Sequence, residues 1–150
     1  MQVQGFLADS VQAAGGKLSA LGIGWAVLSV QQLPARHDRV GIGLIVTFEP
    51  EEAGRRRLEL RLLDPEGRDR PLGRDASGGE LRALAFPFDT GPGGERTATV
   101  AINLDGLVFD AEGPHTLVVS VDGLEARRLP FRVQRTPAPP MTEQRSGTYL

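Results

Sequence analysis

Leu58, Leu60 and Leu62 alternate with Arg57, Glu59 and Arg61 in the clearest stretch of a chain whose apolar residues recur at every second position. A period of two gathers alternate side chains on one face of an extended strand, and a helix makes no use of it. The same alternation runs through Val40, Ile42, Leu44, Val46 and Phe48, and through Ala98, Val100, Ile102 and Leu104. Eight strands are expected, over about residues 2–9, 17–30, 39–48, 57–63, 80–88, 96–104, 114–121 and 124–134. In the second, Leu21, Ile23, Trp25 and Val27 share a face, and Gly22 and Gly24 interrupt the other, where a bulge or a close approach of sheets is expected. Residues 9–15 are the best local candidate for a short helix, and no longer helix is required.

The punctuation between these stretches is turn chemistry. In Asp64-Pro65-Glu66-Gly67, Pro presets φ at the second position of a β-turn, and a polar loop is expected from there to Gly79. Pro87 has no N–H to donate, so its strand belongs at a sheet edge or ends there. Residues 89–95 read as a loop. Asp122-Gly123 is the strongest hairpin signal. A two-residue loop there sets Val121 opposite Leu124, on one face with Leu117 and Val119, and turns Leu129, Phe131 and Val133 to the other face. Both sets are apolar, so a three-residue loop or a bulge near Arg127-Arg128 is expected.

Eight antiparallel strands without crossover helices predict an all-β protein: a two-sheet antiparallel β-sandwich, immunoglobulin- or C2-like, over residues 1–134, with a closed barrel as the alternative. Trp25, Phe48, Phe86, Phe88 and Phe131 are its expected aromatic core. From Arg135 to Leu150 the chain changes character, with Pro137, Pro139 and Pro140 and little that packs, and a flexible tail is expected.

Composition narrows the function. A chain of 150 residues forms a core without staples, and 19 glycines and 11 prolines fit frequent turns. It has no cysteine, which removes disulfides, thiolate metal sites and Cys nucleophiles and fits a reducing, cytoplasmic setting. No secretion signal and no membrane-spanning run are read in it. A net charge of -2 favours neither a nucleic acid nor an acidic membrane as partner.

Phe6-Leu7-Ala8-Asp9, Gly16-Lys17-Leu18, Leu21-Gly22-Ile23-Gly24-Trp25 and the closing Leu129-Pro130-Phe131-Arg132-Val133 resemble, together, a family of small bacterial proteins, mostly actinobacterial, that constitutes a domain of unknown function. The resemblance spans about residues 3–134. It implies a soluble β-sandwich and supplies no catalytic residues.

Candidate chemistry is thin. Gly15-Gly16-Lys17 fails as a phosphate loop, because Val11 and Leu18 stand where that motif needs Gly and Ser or Thr; it reads as a turn into a strand. His37 and His115 are too few and too far apart in sequence to make a zinc site without several carboxylates, and each is expected at the surface or hydrogen-bonded. Ser10, Ser77 and Ser120 lie outside any nucleophile elbow. Arg55-Arg56-Arg57, after Glu49, Glu51 and Glu52, reads as a solvated hairpin loop without the aromatic neighbours that nucleic-acid binding wants. One end of a sandwich would collect Asp38, Asp64, Glu66, Asp69, Asp75, Asp105, Asp110 and Glu112, a set suited to calcium. Arg36, Arg39, Arg68, Arg70 and Arg74 share that end, so turn-forming carboxylates with surface ion pairs are the stronger expectation. The chain is therefore expected to be a non-enzymatic interaction module with no catalytic, cofactor or metal residues. A protein partner or a second copy would bind at an open edge such as the N-terminal strand or the strand of Pro87. A ligand- or calcium-binding loop end is the alternative.

Overall fold

Four strands carry the densest alternation of apolar residues and form the centre of the molecule: β5 (Ala35–Thr47), β6 (Arg55–Leu63), β11 (Thr97–Phe109) and β12 (Gly113–Val121). The structure is a computed structural model and describes residues 1–90 and 96–137. It is all-β, with no α-helix among the described residues and one 3-10 turn at Pro50–Glu52. The remaining strands are β1 (Gln2–Ala8), β2 (Ser10–Ala14), β3 (Lys17–Leu21), β4 (Val27–Val30), β7 (Asp69–Arg70), β8 (Gly73–Arg74), β9 (Glu80–Leu81), β10 (Leu84–Asp89) and β13 (Leu124–Arg135). One sheet has the order β1-β5-β11. A second has the order β10-β6-β12-β13-β4, with β7 beside β6. Two small hairpin sheets, β2-β3 and β8-β9, complete the fold.

The inward faces of the two larger sheets share one core. Val40, Ile42, Leu44 and Val46 of β5 and Val100, Ile102 and Leu104 of β11 meet Leu58, Leu60 and Leu62 of β6 and Leu117 and Val119 of β12. The alternation in these stretches therefore has the predicted orientation. So does the strand of Pro87: among the described residues β10 pairs only with β6 and is an edge. The turn at Asp64 closes through a hydrogen bond from Gly67 N–H to the Asp64 carbonyl, 2.9 Å.

Two devices change which face of a strand is apolar. In β11 the buried positions pass from Leu104 to Leu107 and Phe109, a change of parity. Gly106 lies between, at φ +72, where a side chain is strained, and its partner position in β5 is skipped. The sequence pattern ends this strand at Leu104 for that reason, and the actual strand continues to Phe109. The second device lies in the β12-β13 hairpin. Asp122-Gly123 makes the two-residue turn, with Val121 opposite Leu124. Between Ser120↔Glu125 and Val119↔Arg127 the ladder slips by one residue, leaving Ala126 as a bulge. Leu117 then faces Leu129 and His115 faces Phe131, so both apolar sets reach the core. The bulge expected near Arg127-Arg128 is found one residue earlier.

Phe48 and Phe131 are buried as expected, whereas Trp25, Phe86 and Phe88 are half-buried at the margin of the core. Phe109, outside the expected aromatic set, is the largest fully buried side chain. Its ring meets the His115 imidazole edge-on at 5.3 Å and the Phe131 ring at 5.8 Å. His115 is 2% exposed. Its Nδ1 is 3.0 Å from the Gly113 carbonyl and donates to it in the neutral tautomer. Burial among these rings pushes the imidazole pKa below its ordinary value.

Several expectations are corrected. The long second strand is two, β3 and β4, because Gly22 and Gly24 have φ of +65 and +91 and break the extension. The short helix expected over residues 9–15 is β2, closed onto β3 by a Gly15-Gly16 turn. The polar loop after Gly67 contains β7 and β8, and the strand expected over 80–88 divides into β9 and β10. Among the described residues thirteen strands replace eight, and β4 runs parallel to β13 within an otherwise antiparallel set. Pairing in β13 extends to Arg135. The tail beyond residue 137 and most of the loop expected over 89–95 lie outside the described residues.

Two predictions follow from these devices. Deleting Ala126 alone keeps Leu117 opposite Leu129, whereas deleting Ala126 and Arg127 together sets Leu117 against Pro130 and swings Leu129, Phe131 and Val133 away from the core. Each such side chain is worth about 1.5–3 kcal/mol of burial, and their sum rivals the ~5–15 kcal/mol that holds a whole domain. Thermal melting by circular dichroism should show no cooperative transition in the double-deletion variant. The second concerns pH. Because the folded-state pKa of His115 is below 6.5, the unfolded chain takes up a proton there first, so stability is full above that value and declines as pH falls through it. The melting temperature should drop between pH 7.5 and 5.5, and in His115→Phe this component should vanish at the cost of an unpaired Gly113 carbonyl.

Candidate interaction surface

The glycine-spaced segment Leu21-Gly22-Ile23-Gly24-Trp25-Ala26 connects β3 to β4. It is tied to the end of β1 by two backbone hydrogen bonds: Asp9 N–H donates to the Leu21 carbonyl at 2.9 Å, and Gly24 N–H to the Leu7 carbonyl at 3.0 Å. The Asp9 carboxylate lies 2.1 Å from where a Cβ on Gly22 would stand, so only glycine fits. With its backbone held this way, the segment turns its apolar side chains outward. Leu21 is 74% exposed, Ile23 59% and Val27 47%. Trp25 is half-buried, its ring edge-on to Phe131 at 5.8 Å. Alternation suggested a shared face for these four residues, and the glycine breaks put three of them at water.

Single exposed aliphatic residues are ordinary. Here three fall within seven residues, beside a tryptophan and two open strand edges. β4 pairs with β13 on one side only and ends the six-stranded sheet. β5 is flanked by β1 from Gly41 to Thr47, but from Ala35 to Arg39 it pairs with β11 alone. Alternate backbone N–H and C=O groups of such a half-paired strand point away from its neighbour. Between them lies a cleft of about 530 Å³ that includes Ile23, Trp25, Val27, Leu28 and His37. No sequence pattern signalled it, because its two edges come from strands whose other sides are paired far along the chain.

The acidic loop residues do not assemble into a cation site. Asp105 holds Arg39 through two contacts, at 2.6 and 3.1 Å, Glu66 pairs with Arg68 at 2.5 Å, and Asp69 pairs with Arg61 at 3.3 Å. Asp110 pairs with Arg70, and Glu112 accepts from Arg135 N–H. Asp64 accepts the N–H groups of Arg68 and Glu66, and these bonds hold its carboxyl below the usual range. Asp75 is lowered likewise, first by the Ser77 hydroxyl at 2.6 Å. Among the described residues, no three carboxylates or histidines stand together as metal ligands.

The remaining candidates are dispersed. No serine hydroxyl bonds to a histidine among the described residues: Ser77 is spent on Asp75, Ser10 lies in β2, and Ser120 is buried in β12 beside the bulge. Lys17 follows the β2-β3 turn and starts β3. The Arg55-Arg56-Arg57 run is not a loop but the start of β6. Arg56 donates to the Glu52 carbonyl and to Asp122, whose carboxylate also accepts from Arg57 N–H at 2.9 Å. Glu52 in turn holds the N-terminal amine at 2.8 Å. The β6-β10 ladder sets Phe86 and Pro87 beside these arginines, a neighbourhood invisible in sequence.

No described helix is long and apolar enough to cross a membrane. Comparison with curated proteins finds no match. Among solved structures, Pseudomonas fluorescens alkylpurine DNA glycosylase AlkC bound to DNA containing an abasic site analog is similar over 74% of this chain at 15% identity, with a TM-score of 0.41. The match spans only 28% of that protein, and a likeness so slight carries no argument. A family of unknown function (DUF6941) matches residues 4–134, nearly the whole described chain, and the chain belongs to that family.

Proposed function

We propose that this chain is a non-catalytic, cytoplasmic binding module that takes up an extended segment of a partner protein along β4. In this reading the two larger sheets are the layers of an immunoglobulin- or C2-like sandwich. The observation that carries it is the exposed set Leu21, Ile23 and Val27 beside the open edges of β4 and β5. A strand laid against β4 gains main-chain hydrogen bonds, while the side chains on one of its faces meet the cleft of Ile23, Trp25 and Val27. Burying each of the three aliphatic side chains contributes up to about 1.5–3 kcal/mol. Among the described residues the loop carboxylates other than Asp38 are engaged within the chain, and nothing in their geometry favours the calcium reading over this one.

A photoreactive phenylalanine placed at position 23, and in a second variant at Leu124, tests the proposal in the native host. Leu124 is 76% exposed and lies at the β12-β13 turn, so it controls for bare hydrophobicity. The expected outcome is an adduct of one defined mass at position 23, absent at 124 and lost when Val27→Asp is added. No adduct, or equal adducts at both positions, overturns the reading. A mass of twice the chain, matched by a dimer in light scattering, replaces the partner protein with a second copy.

A further inference from the structure

A second cleft, of about 490 Å³, opens where the segment carrying β7 and β8 crosses the outer side of the β5-β11 ladder. Three arginines line it: Arg36 from β5, and Arg70 and Arg74 from the crossing segment. Half-buried Pro71 and exposed Val108 form its accessible apolar wall, and the buried Leu72 and Leu107 also belong to its lining. Glu80 is the one carboxylate in the lining, and Arg82 holds it at 2.8 Å. Arg70 is paired with Asp110, and Arg74 donates to the Gly78 carbonyl at 2.8 Å, so two of the three cations are fixed in place from behind.

Arg36 is different. Among the described residues it has no ion pair and no hydrogen bond, although Asp38 is two residues away on the same strand. Its guanidinium nevertheless lies against Gly106, with Nη2 and Nε 2.8 and 2.9 Å from the position of a Cβ there. The left-handed glycine that changes the parity of β11 thus also makes the space in which this cation lies. A planar fork with free donors, beside two further guanidiniums and above an aliphatic wall, matches an oxyanion attached to an apolar body.

We propose that this cleft binds a small organic phosphomonoester, the phosphoryl group between Arg36, Arg70 and Arg74 and the organic part against Pro71 and Val108. Three cations, one from β5 and two from the crossing segment, suit a dianion better than a carboxylate, which one guanidinium satisfies. The cleft volume exceeds what a bare ion fills. This site is separate from the β4 edge, and its test is independent of the partner experiment.

The probe is phenyl phosphate, titrated into isotope-labelled protein and followed by amide shifts of Gly73 and Gly106, with benzoate and inorganic phosphate as comparison ligands. Phenyl phosphate should saturate at millimolar concentration or below, bind more tightly than either comparison ligand, and shift those two glycines. Arg36→Gln, an exposed change expected to leave folding intact, should weaken it about tenfold. Gly106→Ala, which pushes the guanidinium aside, should weaken it as well. Arg127→Gln, on β13 outside the cleft, should leave binding unchanged. Failure of phenyl phosphate to bind, equal binding by Arg36→Gln, or benzoate binding as tightly as phenyl phosphate would each overturn the assignment.

Discussion

An extended backbone commits every second side chain to the same side, and the rest of this molecule depends on keeping that commitment aligned with one apolar interior. Two sheets share the core, so each strand must present its aliphatic positions inward along its whole length. A slip of one residue anywhere inverts everything beyond it. The chain meets this constraint with two corrections, the bulged Ala126 in β13 and the left-handed Gly106 in β11. Without the first, Leu129, Phe131 and Val133 would point away from Leu117. Without the second, Leu107 and Phe109 could not follow Leu104 into the core.

The same corrections shape the surface. When Gly106 turns Phe109 inward, Val108 is left outside, 46% exposed, opposite Arg36 in the ladder. The outer side of β5 and β11 at that point becomes one wall of the arginine-lined cleft. At the other end of β4, Gly22 and Gly24 break an alternation that would otherwise have been a core strand, and the apolar residues it carried stand at the surface. Both candidate sites therefore sit where the period of two fails.

Polar groups elsewhere are mostly spent on holding turns and strand ends. Asp122 is an example: it takes Arg57 N–H and the Arg56 side chain, and its carboxyl is lowered first by the former. Such exposed pairs contribute little stability individually, but they fix where strands begin. They also explain why an abundance of loop carboxylates need not amount to a cation site.

Leu58, Leu60 and Leu62, and Val40 through Phe48, were legible from residue order alone, because alternation is a local property and burial on one face is its direct consequence. The Asp64 turn, the Gly15-Gly16 turn and the edge position of Pro87 were legible for the same reason: each follows from the φ or the missing N–H of one or two residues. The need for a bulge in the last hairpin could be read as well, since two incompatible apolar sets flank one turn. Residue order could not say that Leu21, Ile23 and Val27 stay at water. That depends on the Gly22 and Gly24 breaks being held to the end of β1, and, for Val27, on β4 pairing in parallel with β13, about a hundred residues away. Nor could it bring Arg36 to Arg70 and Arg74, or set His115 between Phe109 and Phe131. Those meetings follow from how strands stack and cross, and contacts between distant segments leave no period in the chain that makes them.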